Sequence, residues 1–174
     1  GDDNGRKQHM TKSEANLKEA FAGESQANRT YLAFAKAADE EKHPQVARLF
    51  RAAAEAETVH ALNHLRAMKG VKSTKENLQA AIAGETHEFT HMYPDMIEAA
   101  KAEGHRDARQ SFAYANEVEK VHAKLYKDAL DGLGKETESY SYYVCPVCGF
   151  TSEADAPSAC PICSTPGRMF KKID

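Results

Sequence analysis

Glutamates occupy four positions where a helical protein places apolar side chains, and they narrow the possible folds more than any other feature. Apolar seams with coiled-coil-like spacing run through four helical stretches. The first holds Leu17, Phe21, Glu24, Tyr31 and Phe34, and the second Val46, Phe50, Ala53, Glu57, His60 and His64. The third holds Leu78, Ile82, Glu85, Phe89, Met92 and Met96, and the fourth Phe112, Ala115, Glu119, His122, Tyr126 and Leu130. Each seam carries one of the glutamates near its middle, so an antiparallel bundle brings four carboxylates to one level. Glutamate is almost never fully buried unless it is paired or bound to metal. Four unpaired carboxylates would cost on the order of several kcal/mol each in desolvation and would repel one another. Cations must neutralise them.

The spacing narrows the choice of cation. Glu57-x-x-His60 and Glu119-x-x-His122 each set a carboxylate and an imidazole on one helical face, about a turn apart. A single Glu from each of two helices plus Glu-x-x-His from the other two is the ligand pattern of ferritin-like di-iron and di-manganese proteins. Such mixed donors suit iron or manganese and tolerate zinc. The chain has two further Glu-x-x-His pairs, Glu40/His43 and Glu88/His91. The first abuts Pro44 at a helix end and reads as solvent-facing, and His91 is rotated roughly 120° from Glu85. A weak internal repeat separates the seam pairs from these surface pairs. Phe21-Ala22-Gly23-Glu24 recurs as Ile82-Ala83-Gly84-Glu85, and the step from Glu24 to Glu57 nearly matches that from Glu85 to Glu119. Two pseudo-symmetric hairpins would place the ligands about two metals. The repeat fails once, where Glu88 stands opposite Ala27 and adds a glutamate to one side.

Helix signals agree with this count. Thr11/Glu14 and Ser73/Glu76 form capping boxes, and Pro44 suits the first turn of a second helix ending near Gly70. Pro94 predicts a kink inside the third helix, which runs to about Gly104. The fourth runs from about Arg106 to Asp131 and ends at Gly132 and Gly134. Residues 1–11 read as a disordered tail or expression remnant, 12–134 as the bundle, and 135–174 as a separate module. The N-terminus has no apolar core of a secretory signal, no stretch is long enough to span a membrane, and a net charge of -3 offers no footprint for nucleic acid.

All four cysteines fall in the module, as Cys145-Pro-Val-Cys148-Gly and Cys160-Pro-Ile-Cys163. Two Cys-x-x-Cys knuckles so close together form a tetrahedral thiolate site, iron or zinc. Their clustering points to a reducing compartment, with the cytoplasm as the expected location. A fragment this short needs its metal to fold.

The series FAGESQA, ETVH, IAGETHE with MYP, EKVH, CPVCG and CPIC resembles the rubrerythrin family over residues 12–174. The resemblance implies a mainly α chain: an antiparallel four-helix ferritin-like bundle followed by a small rubredoxin-like metal-binding β domain. By matching positions it implies di-iron ligands Glu24, Glu57, His60, Glu85, Glu88, Glu119 and His122, with Glu57 and Glu119 bridging. It further implies that His60 and Glu88 alternate on one iron, and that Tyr31 and Tyr93 hydrogen-bond ligand carboxylates. Cys145, Cys148, Cys160 and Cys163 would hold one iron, or zinc if mis-metallated.

The activity so implied is reduction of hydrogen peroxide to water, an oxidative-stress function. Electrons would come from an NAD(P)H-linked flavoprotein reductase or a rubredoxin and pass through the module's iron. The competing reading is a ferritin-like ferroxidase or iron-handling protein with a zinc-ribbon docking module. Leu133 lies 14 residues beyond Glu119, about 21 Å at helical rise. The resemblance therefore favours a head-to-tail homodimer in which each module serves its partner, although a linker over 134–144 could extend about 35 Å and fold back.

Overall fold

The computed structural model describes residues 9–174, so the tail expected over 1–11 lies largely outside the described residues. The chain forms two compact units, divided between Lys72 and Ser73.

The first unit is a helical hairpin, α1 (Lys12–Glu40) and α2 (Pro44–Ala67). Thr11 caps α1 with the expected capping box, and Pro44 opens α2. The turn between them depends on Lys42 at φ 66, a left-handed residue that lets His43 N–H reach Ala38 O at 2.8 Å. Asn28 Nδ2 donates to Ala54 O and Thr58 Oγ1, both at 2.8 Å, while Arg51 pairs with Asp39 nearer the turn. These pairings fix the antiparallel register.

The buried stripe between α1 and α2 is alanine: Ala35, Ala38, Ala47, Ala54 and Ala61. Ala47 and Ala54 are 0% exposed, whereas Val46, placed in the seam by periodicity, is 46% exposed. The seam is therefore displaced by one residue from the larger apolar side chains. Small side chains let the two backbones approach, and the bulkier ones flank that line of contact.

The second unit holds α3 (Thr74–His87), α4 (Tyr93–Ala102), α5 (Arg106–Gly132) and the cysteine module. Ser73 and Glu76 form the second capping box. Between α3 and α4 the kink expected at Pro94 takes a different form: residues Glu88–Met92 make a π-helical turn, with Tyr93 N–H bonded to Glu88 O. Pro94 has no N–H to donate, and the widened turn absorbs the loss while the helix continues. His105 caps α5 by accepting from Ala108 N–H, a role the sequence does not advertise because imidazole is an uncommon cap. Contacts of His122 with Glu85 and of Tyr93 with Phe112 run in opposite chain directions, so α5 is antiparallel to α3 and α4.

The module is a three-stranded antiparallel sheet of β1 (Tyr142–Val144), β2 (Thr151–Glu153) and β3 (Lys171–Ile173), in the order β2-β1-β3. Its small core is Cys145, Cys160 and Phe170 with Tyr143, Phe150 and Ile162 packed on it. No helix among the described residues is long and apolar enough to cross a membrane.

The alanine stripe generates a test. Ala54→Leu should overpack the hairpin and lower stability by about 1–3 kcal/mol, whereas Val46→Ala at the exposed neighbour should change it by no more than about 0.5 kcal/mol. Urea unfolding followed by circular dichroism distinguishes the two.

Candidate metal centres

Each helical unit assembles one triad of donors. In the first, His60 Nδ1 stands 3.2 Å from Glu24 Oε2 and 3.3 Å from Glu57 Oε2. In the second, His122 Nδ1 stands 3.5 Å from Glu85 Oε1 and 3.4 Å from Glu119 Oε2. In each triad the three donor atoms lie within 4.8 Å of one another, close enough to share one ion. The i,i+3 spacing on α2 and α5 sets each histidine over its glutamate, and the third carboxylate comes across the hairpin from α1 or α3.

Glu85 Oε2 is buried and has no hydrogen-bond partner. An orphaned carboxylate oxygen beside a second carboxylate and an imidazole fits a bound cation. The donors are hard oxygens with one nitrogen, a set that suits iron. The residues present fit one metal ion per triad.

Glu88 is not among the donors of either triad. It heads the π-helical turn, half-buried, and its charge reaches Tyr93. Burial, and then Glu88, push the Tyr93 phenol above its ordinary value, so it stays protonated and able to donate. Tyr31 packs against Phe34 and Phe50, with ring centroids 6.3 and 6.1 Å away. Of the two other Glu-x-x-His pairs, His43 ends up as the exposed N-cap of α2, and His91, also exposed, bonds Thr90.

In the module the four thiols are free, and their sulfurs lie within 4.8 Å of one another. Cys145 and Cys163 are 3.6 Å apart and Cys148 and Cys160 3.5 Å. Two similar turns build the site. Cys145 N–H bonds Phe150 O and Gly149 N–H returns to Cys145 O; Cys160 N–H bonds Thr165 O and Ser164 N–H returns to Cys160 O. Each turn needs one left-handed residue, Gly149 at φ 85 and Ser164 at φ 67. Burial pushes the Cys145 thiol up, but the Cys148 and Val147 amides and the Cys163 and Thr165 side chains outweigh it and bring it to about 6. Burial drives Cys148 the other way, well above the usual thiol range. The Thr165 hydroxyl lowers the Cys163 thiol as well, so two sulfurs that favour the thiolate stand beside Cys148, which resists it, a set whose charge a metal completes.

The module also touches the second triad, which nothing in the motif spacing announces. His122 Nε2 lies 2.9 Å from Thr151 Oγ1 in β2, and a Cβ on Gly149 would sit 3.8 Å from Val118 of α5.

Comparison with known proteins agrees with this geometry. The profile described as Rubrerythrin matches residues 15–130, and one described as the rubredoxin-like domain of rubrerythrin matches 143–171. The chain belongs to the rubrerythrin family. It is 37% identical over 171 residues to Rubrerythrin-2 of Clostridium acetobutylicum, covering 89% of this chain and 93% of that one. It is 36% identical to nigerythrin of Nitratidesulfovibrio vulgaris, covering 89% and 83%. A solved structure described as the fully reduced, all-ferrous state of nigerythrin matches with a TM-score of 0.57 at 33% identity, over 95% of this chain and 89% of that one. The mainly helical rubrerythrin fold, with carboxylate-histidine sites in its helices and a rubredoxin-like single-metal module, is the one read from the sequence.

Metal removal tests the module. Chelation under reducing conditions should unfold residues 142–173 while helical circular dichroism persists. Because bound sulfurs are thiolates, affinity for the metal should weaken as pH falls. Cadmium–thiolate absorbance during an acid titration reads this loss.

Proposed function

We propose that this chain is a non-haem di-iron peroxidase that reduces hydrogen peroxide to water, with electrons entering through the rubredoxin-like iron. The contact between His122 and Thr151 carries the reading. It links a ligand of one triad to the strand that follows the Cys148 knuckle, two bonded neighbours from Gly149. An iron-storage or ferroxidase protein with a docking module has no use for such a link.

Glu24, Glu57 and His60 would hold one metal and Glu85, Glu119 and His122 the other, with Glu57 and Glu119 shared between them as the family likeness implies. When bound, the irons supply two electrons and Lewis acidity to the peroxide oxygens. The overall change breaks the O–O bond of hydrogen peroxide and takes up two electrons and two protons to give two waters. By the family likeness, Glu88 would alternate with His60 as a ligand when the charge of the site changes. The π-helical turn gives its backbone an irregular geometry, and burial, then the Glu88 charge, keep the Tyr93 phenol protonated. His60 suits departure, because its side chain is 54% exposed against 29% for His122.

A reduced flavoprotein or rubredoxin-type donor would refill the module, and the expected setting is the cytoplasm. The family likeness suggests a homodimer. The likeness suggests relay across a head-to-tail dimer, and the bond between Thr151 and His122 suggests relay within each chain. Mixing a variant lacking Cys145 and Cys148 with a Glu119→Ala variant tests this. Continued inactivity once subunit exchange is confirmed supports relay within a chain, and recovery supports relay across the dimer.

The functional test is stopped-flow mixing of the reduced, iron-loaded protein with peroxide and with dioxygen. Oxidation should be at least tenfold faster with peroxide; equal or reversed rates would favour ferroxidase chemistry. Glu88→Ala should keep most of its iron yet slow peroxide turnover at least tenfold, and Glu119→Ala should lose bundle iron outright. Metal analysis beside the rate measurement separates these effects.

A further inference from the structure

His122 and His60 occupy equivalent places in the two hairpins, yet their rings are held differently. Both turn Nδ1 toward two carboxylate oxygens. Only His122 has a partner on its other nitrogen: Nε2 lies 2.9 Å from Thr151 Oγ1, while no hydrogen bond reaches His60 Nε2 among the described residues.

The Thr151 hydroxyl has a single proton, and its direction is given by the backbone. Thr151 Oγ1 donates to Gly149 O at 3.1 Å. With its proton committed there, the oxygen can only accept from the imidazole, so Nε2 carries the hydrogen. In the neutral ring Nδ1 is then bare, and its lone pair points at Glu85 Oε1 and Glu119 Oε2. A bare nitrogen facing two carboxylates repels them until a cation comes between. We propose that Thr151 is a positioning residue for the second triad: its hydroxyl, oriented by the Gly149 carbonyl, holds His122 in the Nε2–H tautomer and so presents Nδ1 to the metal.

The cysteine module thereby governs metal affinity in the helices. Thr151 opens β2, directly after the Cys148 knuckle, so its place depends on the fold of the module. The inference rests on the metal-site reading above but not on the peroxidase reaction.

The test uses the full-length chain with zinc in the cysteine site, so that the module is folded and redox-silent. Thr151→Val keeps the shape of the side chain and removes the hydroxyl; Thr151→Ser keeps the hydroxyl. Nitrogen-15 spectra of labelled histidine, with His122→Gln supplying the assignment, report the tautomer in the protein without helical-site metal. Cobalt(II) titration reports affinity at those sites. The native protein and Thr151→Ser should show the Nε2–H form at His122. Thr151→Val should show a mixture and a roughly 10- to 100-fold loss of cobalt affinity at one of the two sites. An unchanged tautomer and affinity in Thr151→Val overturns the proposal, as does an equal loss in Thr151→Ser, which would mark a packing role. Neither readout involves turnover, so a native protein inert toward peroxide would overturn the functional reading and leave this one intact.

Discussion

Two imidazole nitrogens, one in each compact unit, stand between 3.2 and 3.5 Å from pairs of carboxylate oxygens. The helices around them serve that arrangement. A carboxylate pair in a half-buried site is stable only when a positive charge is shared among its oxygens, and a neutral imidazole contributes none. The orphaned Glu85 Oε2 expresses the same shortage. A metal ion meets it and joins the hairpin's two helices in doing so, so that binding energy is also folding energy.

The two hairpins meet this demand with unlike means. In the first, Asn28 ties α1 to α2 through Ala54 O and Thr58, and a run of alanines brings the backbones together. In the second, the widened turn at Glu88 loosens the helix next to the triad, while the cysteine module braces His122 from outside. One side of the chemistry is supported by its own hairpin and the other by an added module.

Much of this was legible in the sequence. Capping residues at Thr11 and Ser73, Pro44 at a helix start, and the seam glutamates each act through local geometry, which spacing reports directly. The same holds for the cysteine knuckles, whose tight turns leave little freedom. The alanine stripe between α1 and α2 was not read, because hydrophobicity favours Val46 over Ala47 whereas close helix approach favours the smaller side chain. Pro94 signalled an irregularity but not its kind, since a kink and a π turn both relieve a missing N–H. Thr151 was invisible: its role depends on a contact between residues 29 apart along the chain, across a linker whose course no local rule determines.

The numbering of the two hairpins holds one more lesson. The left-handed turn residues Lys42 and Gly104 are 62 positions apart, as are Glu57 and Glu119, and His60 and His122, yet Glu24 and Glu85 are only 61 apart. One hairpin therefore carries a residue that the other lacks, and it lies between Glu85 and Gly104, the stretch that contains the π turn at Glu88–Met92. A π turn is what one extra residue makes when it is taken into an α-helix, so the longer spacing is absorbed inside the helix and the turn at Gly104 keeps its register with the turn at Lys42.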